Sequence, residues 1–140
     1  MGRSGRSIRV LMAQFPLETH SRGMITVAGM LRDAGMEVVV IGNATPRQIV
    51  QTAVQEDADV IGISTYCGGE LVLSEDLLAE AAKEGIRDHT VFLLGGVFPP
   101  RNAAKLRDMG FSGTFPPSST KSEIVSCIEN AVRSGDKSSA

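Results

Sequence analysis

The sequence predicts one α/β domain, a parallel sheet of five strands with helices on both faces. Short apolar runs alternate along the chain with segments of helical periodicity, so that a strand–helix unit recurs five times. The central run, "ADVIGIS", is apolar at nearly every position, as expected for a strand covered on both faces. The chain has 140 residues, 42% of them hydrophobic, which suits a single domain with a substantial core.

The predicted strands are runs rich in valine, isoleucine and leucine. In chain order they are residues 8–14, 36–42, 58–64, 90–94 and 112–115. The fifth, "SGTF", is short and contains little apolar surface.

The predicted helices place apolar residues three or four positions apart. They cover residues 22–34, a segment beginning at 45–48, about 72–84, about 101–109 and 121–133. The inward positions of the first are Met24, Val27, Ala28, Leu31 and Ala34, and we expect its methionines to fill the core. Those of the second are Ile49, Val50, Ala53 and Val54.

Two of these helices begin with a capping box. Thr45 can cap the second helix, Pro46 suits its first turn, and Gln48 completes the box. Thr120 and Glu123 have the same spacing before the last helix. Both patterns predict the start of a helix.

Five such units suit a flavodoxin-like doubly wound sheet with strand order 2-1-3-4-5. In that order the topological switch lies between strands 1 and 3, and ligands bind beyond the carboxyl ends of the strands there. The loops that follow those two strands are "FPLETHSR" and "TYCGGE". We therefore expect the functional site at these loops.

Composition excludes several classes of protein. The formal net charge is −2 without a basic block, which argues against nucleic-acid binding. No apolar run has membrane-spanning length, and the N-terminus lacks the apolar core of a signal peptide. Cys67 and Cys127 fit no metal or redox spacing, so we expect a cytoplasmic protein with reduced thiols. We expect flexible ends at residues 1–7 and 135–140 around a domain of residues 8–134.

The first of the two loops also excludes common ligands of doubly wound folds. It has neither the G-x-G-x-x-G of dinucleotide-binding domains nor a phosphate-binding P-loop. Gln14 and Ser64 stand where a phosphoacceptor receiver domain would carry acidic residues. The loop is also a poor match to the Ser/Thr-rich phosphate loop of a flavodoxin.

The same loop does contain a possible metal ligand. Residues two apart in an extended segment point to the same side. The Glu18 carboxylate can therefore accept a hydrogen bond from one ring nitrogen of His20 while the other nitrogen binds a metal. No companion ligands lie nearby in sequence, so the metal would arrive already coordinated inside a macrocycle. A lone loop histidine is otherwise more often a solvated or helix-capping residue.

The segment "ETHSRG" resembles the D-x-H-x-x-G signature of the cobalamin-binding domain of adenosylcobalamin-dependent mutases, the methylmalonyl-CoA mutase class. The resemblance extends from about residue 8 to 130 through "LRDAGMEVV", "TPRQIVQTAVQEDADVIGIS" and "LLGGVFPP". "ISTYCGG" stands at the S-x-L motif of that family, and "GGVFPP" at its glycine pair after strand 4. The order of the four motifs makes the resemblance specific.

This resemblance implies that His20 replaces the cofactor's own dimethylbenzimidazole base as the lower axial ligand of cobalt. Glu18 would be its hydrogen-bond partner, and Gly23 would leave room for the nucleotide tail. The tail would lie against Ser64. The cofactor contacts implied by the resemblance are Glu18, Thr19, His20, Ser21, Arg22, Gly23, Ser64, Thr65, Tyr66, Gly68, Gly95, Gly96, Val97, Phe115 and Ser119.

Several positions depart from the family pattern. Glu18 is one methylene longer than the usual aspartate, Gln14 replaces a frequent lysine, and Tyr66 replaces the leucine of S-x-L. The loop "FPPSST" has prolines where the family tolerates glycine. We hypothesise that loss of the lysine charge changes how strongly His20 donates to cobalt.

The function implied is that of a mutase small subunit, an isomerase component inactive alone, which holds adenosylcobalamin as its source of radical chemistry. A substrate-binding (β/α)₈ barrel needs about 200 residues or more, so a separate large subunit would bind the acyl-CoA. Alternatives are a corrinoid carrier for methyl transfer, a non-catalytic cobalamin-binding or sensory module, and a flavodoxin-like domain that has lost its cofactor. Only seven residues precede the first strand, which disfavours the carrier's helical cap.

Overall fold

The computed structural model describes residues 7–16, 22–65 and 69–139, with side chains described as far as residue 133. They form one parallel five-stranded sheet in the order β2-β1-β3-β4-β5, which confirms the predicted fold class. The strands are β1 (Arg9–Gln14), β2 (Glu37–Asn43), β3 (Val60–Thr65), β4 (Val91–Gly96) and β5 (Gly113–Phe115). The helices are α1 (Arg22–Asp33), α2 (Pro46–Glu56), α3 (Glu70–Lys83), α4 (Pro100–Met109) and α5 (Lys121–Ser139).

An apolar core lies on each face of the sheet. On one face, Leu11, Ile61 and Phe92 pack with side chains of α2, α3 and α4. On the other face, Val10 and Leu93 pack with side chains of α1 and α5. All six residues of β3 are buried, which confirms that the central strand is covered on both sides.

Both predicted capping boxes form. The Thr45 hydroxyl accepts a hydrogen bond from the Gln48 amide at 3.2 Å, and the Gln48 side chain accepts one from the Thr45 amide at 2.9 Å. The Thr120 and Glu123 pair repeats this exchange at 3.1 and 2.7 Å. These bonds satisfy amide groups that a first helical turn leaves unpaired, so both helices begin where the sequence predicts.

Some details differ from the prediction. Ala34, expected to face inward from the first helix, is exposed and lies one residue beyond the end of α1. β4 continues through Gly95 and Gly96 because both pair with β3. α5 runs to Ser139 rather than to residue 133, since helical hydrogen bonds form within one segment and need no apolar burial. Val54 is 46% exposed and lies at the margin of the α2 stripe, whose buried residues are Ile49, Val50 and Ala53.

Within the described ranges, no helix combines the length and hydropathy that crossing a bilayer requires. The division of the chain into a domain of residues 8–134 with two flexible ends stays a prediction.

The end of β4 packs so closely on β3 that one position there has no room for a side chain. A Cβ placed on Gly96, whose φ is +149°, would lie 1.8 Å from the carbonyl oxygen of Thr65. A Cβ on the preceding Gly95 would meet only the carbonyl oxygen of Phe115, at an ordinary 3.6 Å. Gly96 is therefore required by the fold itself, and Gly95 is not.

We expect Gly96→Ala to lower the free energy of unfolding by at least about 2 kcal/mol, through backbone strain and overpacking. The matched control Gly95→Ala should change it by less than about 1 kcal/mol. Urea unfolding followed by circular dichroism measures both. A Gly96→Ala protein as stable as the Gly95→Ala protein would contradict the close approach of the two strands.

Candidate functional site

A cavity of about 750 Å³ lies between the sheet and helices α1 and α5. Its volume falls within the usual range for small-molecule sites. At the carboxyl edge of the sheet it is lined by exposed residues, including Arg22, Pro116 and Pro117. At the other end it is lined by fully buried residues, including Val10 and Ile128. The cavity therefore opens at the carboxyl edge and closes within the core.

The register of the three central strands builds the floor of the cavity. Met12 on β1 pairs with Gly62 on β3, which pairs with Leu93 on β4. Two residues further along, Ser64 pairs with Gly95. Side chains two apart on a strand share a face, so both rows face α1 and α5. The row nearer the opening offers a hydroxyl, whereas the inner row is entirely apolar.

Helices α1 and α5 form the opposite wall. α1 contributes Met24, Val27 and Met30, which lie on one side of the helix at intervals of three. α5 contributes Ile124 and Ile128 at an interval of four. The sequence predicted the α1 methionines as core residues. They do pack in the apolar core of this face, and they also line the cavity.

Gly62 provides depth at the middle of the floor. A Cβ there would lie 2.9 Å from the thioether sulfur of Met12, so the Met12 side chain extends across the space above the glycine. A larger residue at position 62 would displace Met12 and fill part of the cavity. Sequence reasoning missed this position, and its one signal was a glycine inside an otherwise apolar strand.

Most of the described residues that the sequence predicted for the site line the cavity. They are Arg22, Gly23, Ser64, Gly95, Gly96, Phe115 and Ser119. Thr65 is buried at the end of β3, and Val97 is 61% exposed just beyond β4; neither lines the cavity.

The other predicted residues, Glu18, Thr19, His20, Ser21, Tyr66 and Gly68, lie outside the described residues. Among the residues that are described, no group of three or more His, Cys, Asp or Glu side chains could hold a metal ion.

The polar side chains that line the cavity lie near its opening, except Thr26, which lies one turn further along α1. Ser64 lies on the sheet side, Thr26 and Arg22 on α1, and Ser119 in the turn before α5. The hydroxyl of Ser119 donates to the carbonyl oxygen of Pro116 at 2.8 Å, and this bond holds the turn in place. The cavity therefore suits an elongated ligand with one polar and one apolar end.

Comparisons with known proteins agree with this geometry. Residues 8–118, which include all five strands and the first four helices, match the family described as the B12 binding domain. The chain is 36% identical over 126 residues to the 2-hydroxyisobutanoyl-CoA mutase small subunit of Aquincola tertiaricarbonis, covering 89% of this chain and 92% of that protein. It is also 36% identical over 124 residues to the pivalyl-CoA mutase small subunit of Xanthobacter autotrophicus, covering 88% and 82%.

A solved cobalamin-binding protein from Desulfitobacterium hafniense shares the fold, with a TM-score of 0.76 at 18% identity over 89% of this chain and 58% of that chain. The resemblance found in the sequence is thereby confirmed along most of its length. The chain belongs to the B12-binding domain family.

Proposed function

We propose that this chain is the cobalamin-binding small subunit of an adenosylcobalamin-dependent acyl-CoA mutase. The observation that carries the proposal is the cavity, which is deep, apolar inside and polar at its opening, and which lies at the ligand-binding edge of the sheet. Two relatives that the chain covers over most of their length are named as mutase small subunits, which supports the isomerase assignment. We expect activity only with a large subunit that binds the acyl-CoA.

The residues present fit the nucleotide tail of such a cofactor. Ser64, Ser119 and Arg22 offer hydrogen bonds and positive charge near the opening, where a ribose and phosphate would lie. The apolar interior would hold the base. When bound, the cofactor supplies radical chemistry, and this chain contributes binding and orientation.

His20 would bind the cofactor's metal. It precedes Arg22, which lines the opening, by two residues in the sequence. Glu18 would orient the imidazole by accepting a hydrogen bond from its other ring nitrogen. Both roles are proposals from the sequence pattern, because both residues lie outside the described ranges.

A spectroscopic experiment tests the role of His20. Reduced cobalamin bound to protein with nitrogen-15-labelled histidine should show, by electron paramagnetic resonance, the hyperfine change expected for one histidine nitrogen on cobalt. That change should be absent in His20→Ala. A matched control is His89→Ala, since His89 is an exposed residue of the 3-10 turn before β4. A spectrum showing benzimidazole still on cobalt would contradict the proposed ligation.

A second experiment tests the cavity. Gly62→Ala should weaken hydroxocobalamin binding about tenfold or more, equivalent to ~1.4 kcal/mol, because the added methyl group displaces Met12 into the cavity. The control is Gly29→Ala on α1, where a Cβ meets nothing within 4 Å. Isothermal titration calorimetry measures both. Equal affinities would show that the tail does not lie over Gly62.

The carboxyl edge also supports the proposed contact with a large subunit. Among the described residues, five large apolar side chains are exposed. Three of them lie at this edge: Ile25 and Val72 in the first turns of α1 and α3, and Val97 just after β4. Ile25 and Val72 belong to helices on opposite faces of the sheet, so the three side chains do not form one patch, but all of them lie at the edge where a bound ligand would meet a large subunit.

We expect Val72→Lys to weaken association with the cognate large subunit about tenfold or more, since a lysine buried in the interface would have to be desolvated. Val72 is 63% exposed, so the substitution should not affect folding. Val54→Lys is the matched control, because Val54 is also an exposed helical valine but lies in the last turn of α2, away from the carboxyl edge of the sheet. Sedimentation velocity with purified subunits measures the effect. Equal weakening by both substitutions would place the contact elsewhere.

Turnover separates a mutase subunit from a sensory module. The chain, loaded with adenosylcobalamin and mixed with its large subunit, should isomerise an acyl-CoA, and His20→Ala should not. If cofactor binds but no large subunit yields turnover, the mutase assignment fails while the cofactor assignment stands.

A further inference from the structure

The starts of α3 and α4 are held in a different way from those of α2 and α5. α2 and α5 begin with capping boxes, whereas α3 and α4 are preceded by Gly69 and Pro99, whose side chains can accept no hydrogen bond. Instead, the side-chain amide of Asn102, in the first turn of α4, donates to the carboxylate of Glu70, the first residue of α3, at 2.6 Å. Glu70 is only 6% exposed, so this bond joins the two helix starts below the surface.

Fully buried apolar side chains anchor these two helices further from the carboxyl edge. On α3 the first two buried residues are polar, Glu70 and Ser74, and the buried apolar ones begin at Leu77. The leucines of its first turn pack against the core but are only half-buried. On α4 the buried residue is Leu106, in the second half of the helix. Apolar packing is non-directional, so the bond between Glu70 and Asn102 is the contact that fixes the spacing of the two starts.

A second polar group on this face of α3 does not share that task. The hydroxyl of Ser74 is fully buried and has no hydrogen-bond partner among the described residues. Burying the carboxylate of Glu70 also costs free energy, which one hydrogen bond offsets only in part. The polar pair is therefore better suited to fixing a position than to adding stability.

The two helix starts carry exposed apolar side chains. Val72, in the first turn of α3, is 63% exposed, and Val97, three residues before α4, is 61% exposed. Neither lines the cavity. We call these two valines, together with Glu70 and Asn102, the α3–α4 corner. Because each valine is close in sequence to one partner of the hydrogen bond, breaking that bond would change how the two are presented.

We propose that Glu70 and Asn102 are positioning residues that hold the α3–α4 corner in the arrangement that the large subunit binds; this rests on the proposed function. The partner surface is apolar where it meets Val72 and Val97. The pair belongs to the helices on the face of the sheet opposite the cavity. Its effect therefore falls on assembly of the two subunits and not on binding of the cofactor.

The test uses the large subunit that gives turnover with the wild-type chain. Sedimentation velocity measures association with it, and isothermal titration calorimetry measures affinity for hydroxocobalamin. Asn102→Leu removes the donor at similar size, and should weaken association about fivefold or more while cofactor affinity stays within about twofold of wild type. The double variant Glu70→Gln with Asn102→Asp exchanges the amide and the carboxylate, so the bond can form again and association should return to within about twofold of wild type.

Arg87→Ala is the matched control and should leave association unchanged. The Arg87 side chain donates to the carbonyl oxygen of Met109 at 2.7 Å. That bond joins the turn after α3 to the end of α4, so it connects the same two helices at the edge away from the corner.

Each contrary outcome is distinct. Asn102→Leu protein that binds the large subunit as tightly as wild type would overturn the positioning role and leave the proposed function intact. The same holds if the double variant stays as weak as Asn102→Leu, if Arg87→Ala weakens association equally, or if cofactor affinity falls in parallel with association. If no large subunit gives turnover with the wild-type chain, the proposed function itself fails.

Discussion

The register of β1, β3 and β4 is the constraint on which the site depends. Side chains alternate between the two faces of a strand, so a shift of one residue would move Met12, Gly62 and Leu93 to the opposite face. The floor of the cavity would then be lost together with both cores. The close approach of Gly96 to Thr65 lies at the end of the same ladder and leaves no room there for a side chain. The fold and the site are therefore specified by the same pairings.

The helices that cover the cavity are anchored at places away from its interior. The Arg32 side chain at the end of α1 donates to the Val38 carbonyl oxygen of β2 at 3.0 Å. The Thr120–Glu123 capping box fixes where α5 begins, and the hydrogen bond of Ser119 holds the turn before it. Since α1 and α5 also pack on the sheet through the apolar core that includes Leu31 and Val132, the remaining space between them and the sheet does not need to be filled with side chains. A helix packed along its whole length would leave no such space.

Two glycines at the site have different roles, one in the stability of the fold and the other in the shape of the cavity. Gly96 is needed because a backbone oxygen occupies the place of its side chain. Gly62 is different, since only the flexible end of Met12 lies near it, and its effect is on the shape of the cavity. The sequence alone does not distinguish the roles of these two glycines. Only the neighbouring atoms distinguish a glycine that the fold requires from one that a ligand would use.

The sequence by itself determined the alternation of elements, the strand order, both capping boxes and the family to which the chain belongs. These follow from local periodicity, from the chemistry of turns and helix caps, and from motifs in a fixed order, all of which can be read directly from the order of the residues. The tertiary structure decided that apolar residues such as Met24 and Ile128 serve a cavity as well as a core, and that Val97 lies outside it. An apolar residue that packs against a neighbour and one that lines a cavity occur with the same periodicity in the sequence. Which of the two it is depends on the distance between the helices and the sheet, and only the tertiary structure sets that distance.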